Sequence, residues 1–279
     1  MTEQKSIVDI IREYMKSGEI TLPALSDTAA KLQTEITKED PDMSKVEAYI
    51  KLDPAITGEV LRVANSSYYR GIGTVETIHD AGLRIGLSEL ANIIMVGIHR
   101  SKFKSKDPYI NDYLRMLWKH SLACAIGSSW LSKHLMLNQL SGKAFIAGIL
   151  HDMGKLFLLT ALEDIKKNNN DFNPSNFLIE KMLTSLHSEQ GYDLLVQWNL
   201  PQIYCIIARD HHGETFDSGN QLLAIVRLVN RVCSRIGINM PLENVEAVAG
   251  SIEVELLDLS EISLAELEIA IEDAMMKLT

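Results

Sequence analysis

The chain has 279 residues, 46% of them apolar, and a formal net charge of −10. That is enough for one large globular domain or two small ones, and 16 glycines with 7 prolines exclude fibrous and low-complexity classes. No dense stripe of Lys and Arg is present to release counterions from a phosphate backbone, so direct DNA binding is not expected.

The first ten residues, MTEQKSIVDI, lack a basic segment followed by an apolar core, so no signal peptide is expected. Periodicity then begins at once. Ile7, Ile10, Ile11, Tyr14 and Met15 recur at helical spacing, predicting an N-terminal helix over 1–17 that Gly18 closes. Ser44 to Glu47 reads as a capping box opening a helix through Ile50. Asp53-Pro54 supplies an N-cap and a first-turn proline for the next helix, which ends near Asn65-Ser66-Ser67. LANIIMVGI, at 90–98, is the longest apolar run and falls short of the roughly 20 residues a bilayer needs, so no membrane span is expected.

Two polar, turn-rich stretches, 101–112 and 166–176, are the boundary candidates. Strand signals are poor, and GSIEVELL at 250–257 reads equally as helix or loop. Ser263 to Glu266 is a second capping box, opening a last helix with Leu264, Leu267 and Ile271 on its apolar stripe. The chain is read as all-α, one helical unit with two lobes. Charge is uneven along it: ten acids and one base, Lys277, fall between Pro241 and Thr279. That segment is expected to be a solvated helical face, with docking of a basic partner as the alternative. Cys124, Cys205 and Cys233 have no C-x-x-C spacing, so they are read as small buried hydrophobes suited to a reducing cytoplasm.

Six of the eight histidines lie between 120 and 212. In GILHDMGKLFLL, at 148–159, His151 and Asp152 stand side by side in an apolar run, where burial is costly unless they are paired or bound to a metal. His120 follows Leu117 by three residues and precedes Cys124 by four, placing it on an apolar helix face. Small Ala147 and Gly148 precede His151-Asp152 and either admit another helix or leave room for an ion. His187 falls on a further helix, and His211-His212 end one that starts near Pro201 and stops at Gly213. Imidazoles and a carboxylate suit zinc, iron or manganese, and helices of a bundle can bring distant ligands together. Spacing alone leaves a metal site and a bare histidine network both open.

The motifs W-x-H-S (118–121), H-D-M-G-K (151–155), H-x-x-x-G (187–191), W-x-L-P (198–201) and H-H (211–212) resemble the HD superfamily of metal-dependent phosphohydrolases. LPALSDTAAKL (22–32), IKLDPAITGEVLRVANSSYY (50–69) and TIHDAGLRIGLSEL (77–90) narrow the resemblance to its HDOD branch, over roughly residues 18–275. The resemblance implies an all-helical, cytoplasmic bacterial signal-transduction protein, a group mostly without enzymatic activity. It implies a front lobe over 18–105, an HD-like back lobe over 106–240 and the acidic segment 241–279. It also implies metal ligands at His120, His151 and Asp152, with Asn230 where the superfamily has an aspartate, and His187, His211 and His212 as ligands of a second metal. A neutral amide holds a hard cation more weakly than a carboxylate, so partial occupancy by a divalent Zn, Fe or Mn is expected. Lys155 often faces phosphate in active relatives and is otherwise an ordinary helix residue.

The GETFDSGN stretch after His211-His212 has no Tyr-Pro, which argues against cyclic dinucleotide hydrolysis. A non-catalytic signalling module is therefore expected, with a phosphohydrolase of nucleotides or phosphoesters as the alternative, in which Asp152 and Lys155 would be catalytic. Asn65, Ser66 and Ser67, near Arg62 and Arg84 in the chain, are assigned to regulation. His79-Asp80 is assigned to packing or a helix cap, and His99 and His134 receive no role. No output domain is recognisable, so another signalling protein is the expected partner.

Overall fold

The computed structural model describes residue 11 and residues 27–52, 54–66, 69, 73–100, 102–169, 172–239 and 247–278. The expected closure at Gly18, the Asp53 cap and Ser67 lie outside these residues, as does the 1–17 helix apart from Ile11, which is helical and buried. Among the described residues there is no strand. The front of the chain forms α1 (Asp27–Ile36), α2 (Met43–Lys51), α3 (Pro54–Ala64), α4 (Ile78–Ile85) and α5 (Leu87–Arg100). Then follow α6 (Pro108–His134), α7 (Ser141–Leu150), α8 (Met153–Asn168), α9 (Asn176–Gln197), α10 (Gln202–Asp210), α11 (Gln221–Arg235), α12 (Ile252–Leu256) and α13 (Glu261–Leu278).

One apolar cluster runs from Leu32 in α1 to Val226 in α11, crossing the polar 101–112 stretch. A second joins Leu131 of α6 and Val229 of α11 to Leu264, Leu267 and Ile271 of α13, the stripe expected of the last helix. The segment Asn138–Asn168 is long and apolar enough by composition to cross a membrane, which corrects the reading of 90–98 as the longest such run. Its most apolar 18 residues are 94% buried inside the bundle, however, and the segment is interrupted at His151-Asp152 between α7 and α8. Its apolar side chains are consumed by the core.

Two helix starts differ from expectation. α2 is capped by Asp42, whose carboxylate accepts the Ser44 and Lys45 amides, so Ser44 is already inside the helix. In α13, Ser260 Oγ accepts the Ser263 amide and the helix begins at Glu261. In each case an upstream polar side chain reached the orphan amides first. The ambiguous 250–257 stretch contains the short helix α12. His79-Asp80 does mark a cap: Thr77 Oγ1 accepts the Asp80 amide and bonds its carboxylate at 2.7 Å, with both His79 and Asp80 exposed.

His99 departs most from the sequence reading. No role was assigned to it, and it is fully buried on α5, where it stacks on Trp198 at the end of α9, centroids 5.7 Å apart. Neither ring nitrogen has a hydrogen-bond partner. Burial, helped by Lys102, pushes its pKa down to about 3. The folded form thus resists a proton that the unfolded chain takes up near 6.5. Between pH 6.5 and about 3 the unfolded state binds more protons, so stability is whole above pH 6.5 and falls by roughly 1.4 kcal/mol per unit below it. His99→Phe is expected to flatten that slope in urea unfolding curves. An unchanged slope would show that His99 is not its source.

Candidate metal centre

The break between α7 and α8 places the pair. His151 ends α7, and Asp152 occupies the N-cap position of α8 without making a capping bond. Its carboxylate turns inward instead. His120 comes from the middle of α6, His187 from α9, and His211-His212 from the turn after α10.

Each buried ring is fixed by a carbonyl. Nδ1 lies 2.7 Å from the Ile238 oxygen in His120, 2.7 Å from Gly148 in His151, 2.8 Å from Leu183 in His187 and 2.9 Å from Ala208 in His211. A carbonyl only accepts, so the proton sits on Nδ1 and Nε2 presents a lone pair. This is how metal-ligating imidazoles are oriented.

Those lone pairs converge in two groups on one carboxylate. Around Oδ2 of Asp152, His120 Nε2 and His151 Nε2 each lie at 3.4 Å and are 3.3 Å from each other. Around Oδ1, His187 and His211 Nε2 lie at 3.6 and 3.4 Å and are again 3.3 Å apart. His212 completes the second group and is its one exposed member. Facing lone pairs at such distances repel unless a cation lies among them. Ligands about 2.0–2.1 Å from a tetrahedral metal are themselves separated by about 3.3–3.4 Å. The donor set fits a divalent metal in each group.

Electrostatics point the same way. Burial, with neighbouring imidazoles adding to it, pushes the His151 pKa well down, so that ring stays neutral. Burial together with Lys155 brings His187 down to about 3. Burial alone would raise Asp152, but the Lys155 ammonium 2.8 Å away outweighs it and holds the carboxyl well below the usual range. Lys155 is therefore no ordinary surface residue: it is buried, with Nζ 2.8 Å from Asp152 Oδ2.

Glycines permit the convergence. A Cβ on Gly154 of α8 would meet the His187 carbonyl oxygen at 1.8 Å and the Gly191 nitrogen at 2.6 Å, so α8 and α9 touch backbone to backbone. A Cβ on Gly148 of α7 would meet the Cys124 oxygen at 2.6 Å. The small residues before His151 thus admit helix α6, the first of the two expectations.

The remaining assignments separate. Asn230 is buried on α11 with Oδ1 lacking a hydrogen-bond partner, and it makes no hydrogen bond to the histidines or Asp152. Asn65 clamps the loop ahead of α4, donating to the Val75 carbonyl and accepting its amide, each at 2.8 Å. Arg84 bonds the Gly73 carbonyl of the same loop. Ser66 follows Asn65 half-buried.

Two features escaped the sequence reading. Glu253, counted among solvated acids, is fully buried and receives Arg227 Nε at 2.7 Å, with Arg231 at 3.5 Å. Arg227 also donates to the carbonyls of Asp210 and Gly213, so this pair braces the turn that carries His211 and His212. The second is Cys124, whose Sγ lies 3.5 Å from His120 Nε2. The H-x-x-x-C spacing was its sequence signal.

An all-helical bundle with a buried histidine–aspartate centre is the class that fold and site define. The chain matches the HDOD domain over residues 22–214, and it belongs to that family. It is 27% identical to an uncharacterized protein of Treponema pallidum (strain Nichols) over 69% of this chain, spanning only 38% of that relative's length. Among solved structures it is similar to an HDOD domain protein of unknown function from Geobacter sulfurreducens (TM-score 0.69, 19% identity, 95% of this chain and 97% of that one). It is similar also to a candidate metal-dependent phosphohydrolase from Shewanella amazonensis SB2B (TM-score 0.64, 17% identity, 95% and 97%). A candidate signal transduction protein from Marinobacter aquaeolei VT8 shares the fold too (TM-score 0.70, 20% identity, 97% and 65%). At these identities the likeness concerns the fold.

Proposed function

We propose that this chain is a cytoplasmic, non-catalytic HDOD signalling module whose back lobe is tied together by a divalent transition metal, zinc, iron or manganese. The observation that carries the reading is the sealing of the centre: His120, His151, Asp152, His187 and His211 are each at most 2% exposed. Structural metal sites are closed, whereas catalytic ones keep a position open to water and substrate. His120, His151 and Asp152 Oδ2 would hold one ion, and His187, His211, His212 and Asp152 Oδ1 a second. A bound metal can lower the pKa of a water and polarise a phosphoryl oxygen; in a closed site it links helices α6 to α10 instead. Asn230 adds no charge, and metal occupancy below one per site follows from that. Output passes to another signalling protein, for which Asn65 and Ser66 mark the front-lobe surface.

The second reading, a phosphohydrolase of nucleotides or phosphoesters using Asp152 and Lys155, draws on the exposed rim at His212. One experiment separates them. Metal content is measured on purified protein, thermal unfolding is followed with and without chelator, and turnover is assayed on a phosphoester panel after loading with zinc, iron or manganese. The module reading expects bound metal, a midpoint lower by on the order of 5 °C in chelator, and no turnover. Turnover abolished by Asp152→Asn would establish the hydrolase reading.

A further inference from the structure

We propose that Cys124 is a thiolate ligand of the metal held by His120, His151 and Asp152. This rests on the reading that the centre binds metal. The bland alternative, a small apolar filler, is what the sequence suggests, and Cys124 does sit in the second apolar cluster beside Ala123 and Val229. Its sulfur is nonetheless aimed at the centre. The ligand atoms of His120, Cys124 and His151 lie within 4.8 Å of one another, all three residues buried. Sγ is 3.5 Å from His120 Nε2. With metal–sulfur near 2.3 Å and metal–nitrogen near 2.0–2.1 Å, a tetrahedral S···N edge is about 3.5–3.6 Å. The one sulfur edge and the three N and O edges each have the length that a tetrahedral site with these donors requires.

Charge supplies the second argument. Among the described residues Asp152 is the only carboxylate in the cluster, and Lys155 already neutralises it at 2.8 Å. A single divalent ion added there leaves a net +2, and a second on Asp152 Oδ1 would raise it further, in a pocket where His120, His151 and Asp152 are at most 1% exposed. Uncompensated charge at that depth is costly. When a metal binds, Cys124 gives its proton to bulk solvent and forms the metal–sulfur bond, which lowers the net charge to +1. A His, His, Asp, Cys donor set also favours zinc or cobalt over manganese, because thiolate is a soft ligand.

The test uses the full chain, stripped with chelator and reloaded with Co²⁺ as a spectroscopic probe. The expected result is a near-ultraviolet thiolate-to-cobalt charge-transfer band in the parent and in the Cys205→Ser, Cys233→Ser double variant. Cys124→Ser and Cys124→Ala should lose the band, keep visible cobalt bands from the histidine ligands, and bind Co²⁺ at least roughly tenfold more weakly by equilibrium dialysis. Visible cobalt bands in the parent without the charge-transfer band would overturn the thiolate ligand while leaving the metal centre intact, and the parent spectrum decides this even if a variant fails to fold. No cobalt uptake by the parent would overturn both.

Discussion

Asp152→Ala is expected to weaken metal binding at both groups and to destabilise the metal-free protein by about 3–5 kcal/mol. Both carboxylate oxygens are committed, one to His120 and His151 and the other to His187 and His211, so each group loses its only carboxylate. The energetic cost comes from Lys155. Its ammonium is 3% exposed and loses the carboxylate 2.8 Å away, and breaking a buried ion pair by removing one partner costs about 3–5 kcal/mol. Against a typical total of roughly 5–15 kcal/mol, that is a large share. Urea unfolding in chelator measures it. Adding Lys155→Met to Asp152→Ala should recover part of the stability without restoring metal affinity, because the buried ammonium is gone while the carboxylate ligand is still missing. A metal-free Asp152→Ala protein as stable as the parent would show that the pair contributes nothing.

Gly154→Ala is expected to cost on the order of 3 kcal/mol and to weaken metal binding at the second group. The added carbon would lie 1.8 Å from the His187 carbonyl oxygen, where real contacts essentially never fall below 3.0 Å. Rigid backbone stands on both sides, so α8 and α9 must part by more than an ångström, at or beyond the upper end of the usual overpacking penalty of about 1–3 kcal/mol. Parting them carries His187 away from Asp152, now 3.6 Å distant. Gly58→Ala is the control: it lies inside α3 with nothing within 4 Å of its added carbon, and it should be neutral or stabilising by about 0.4–1 kcal/mol. Equal unfolding midpoints for the two variants would contradict the close crossing.

The contrast between those two glycines shows where sequence reading stops. Both are single glycines in helical segments, and helical period does not distinguish them. Gly154 is indispensable to the crossing because a carbonyl 33 positions later in the chain packs on it. The setting of His99 was hidden for the same reason: the ring it stacks on belongs to Trp198, far along the chain. Glu253 looked like one more acid in a charged tail until Arg227, on another helix, claimed it.

Helical period, by contrast, is a local property, and it was legible. The 3.6-residue recurrence of apolar side chains placed His120 and Cys124 on one face and put Leu264, Leu267 and Ile271 on the buried stripe of α13. The front stretches at 22–32, 50–69 and 77–90 likewise marked the HDOD family, and the motifs around His151-Asp152 the residues that converge. Cap positions were legible only to within a few residues, because Asp42 and Ser260 competed with Ser44 and Ser263 for the same amides. What only the tertiary structure decided is which lone pairs share which oxygen, how deeply the centre is sealed, and which cation and thiol stand beside it. Those depend on helix crossings between residues far apart in the chain, and periodicity carries no information about a neighbour that sequence distance does not supply.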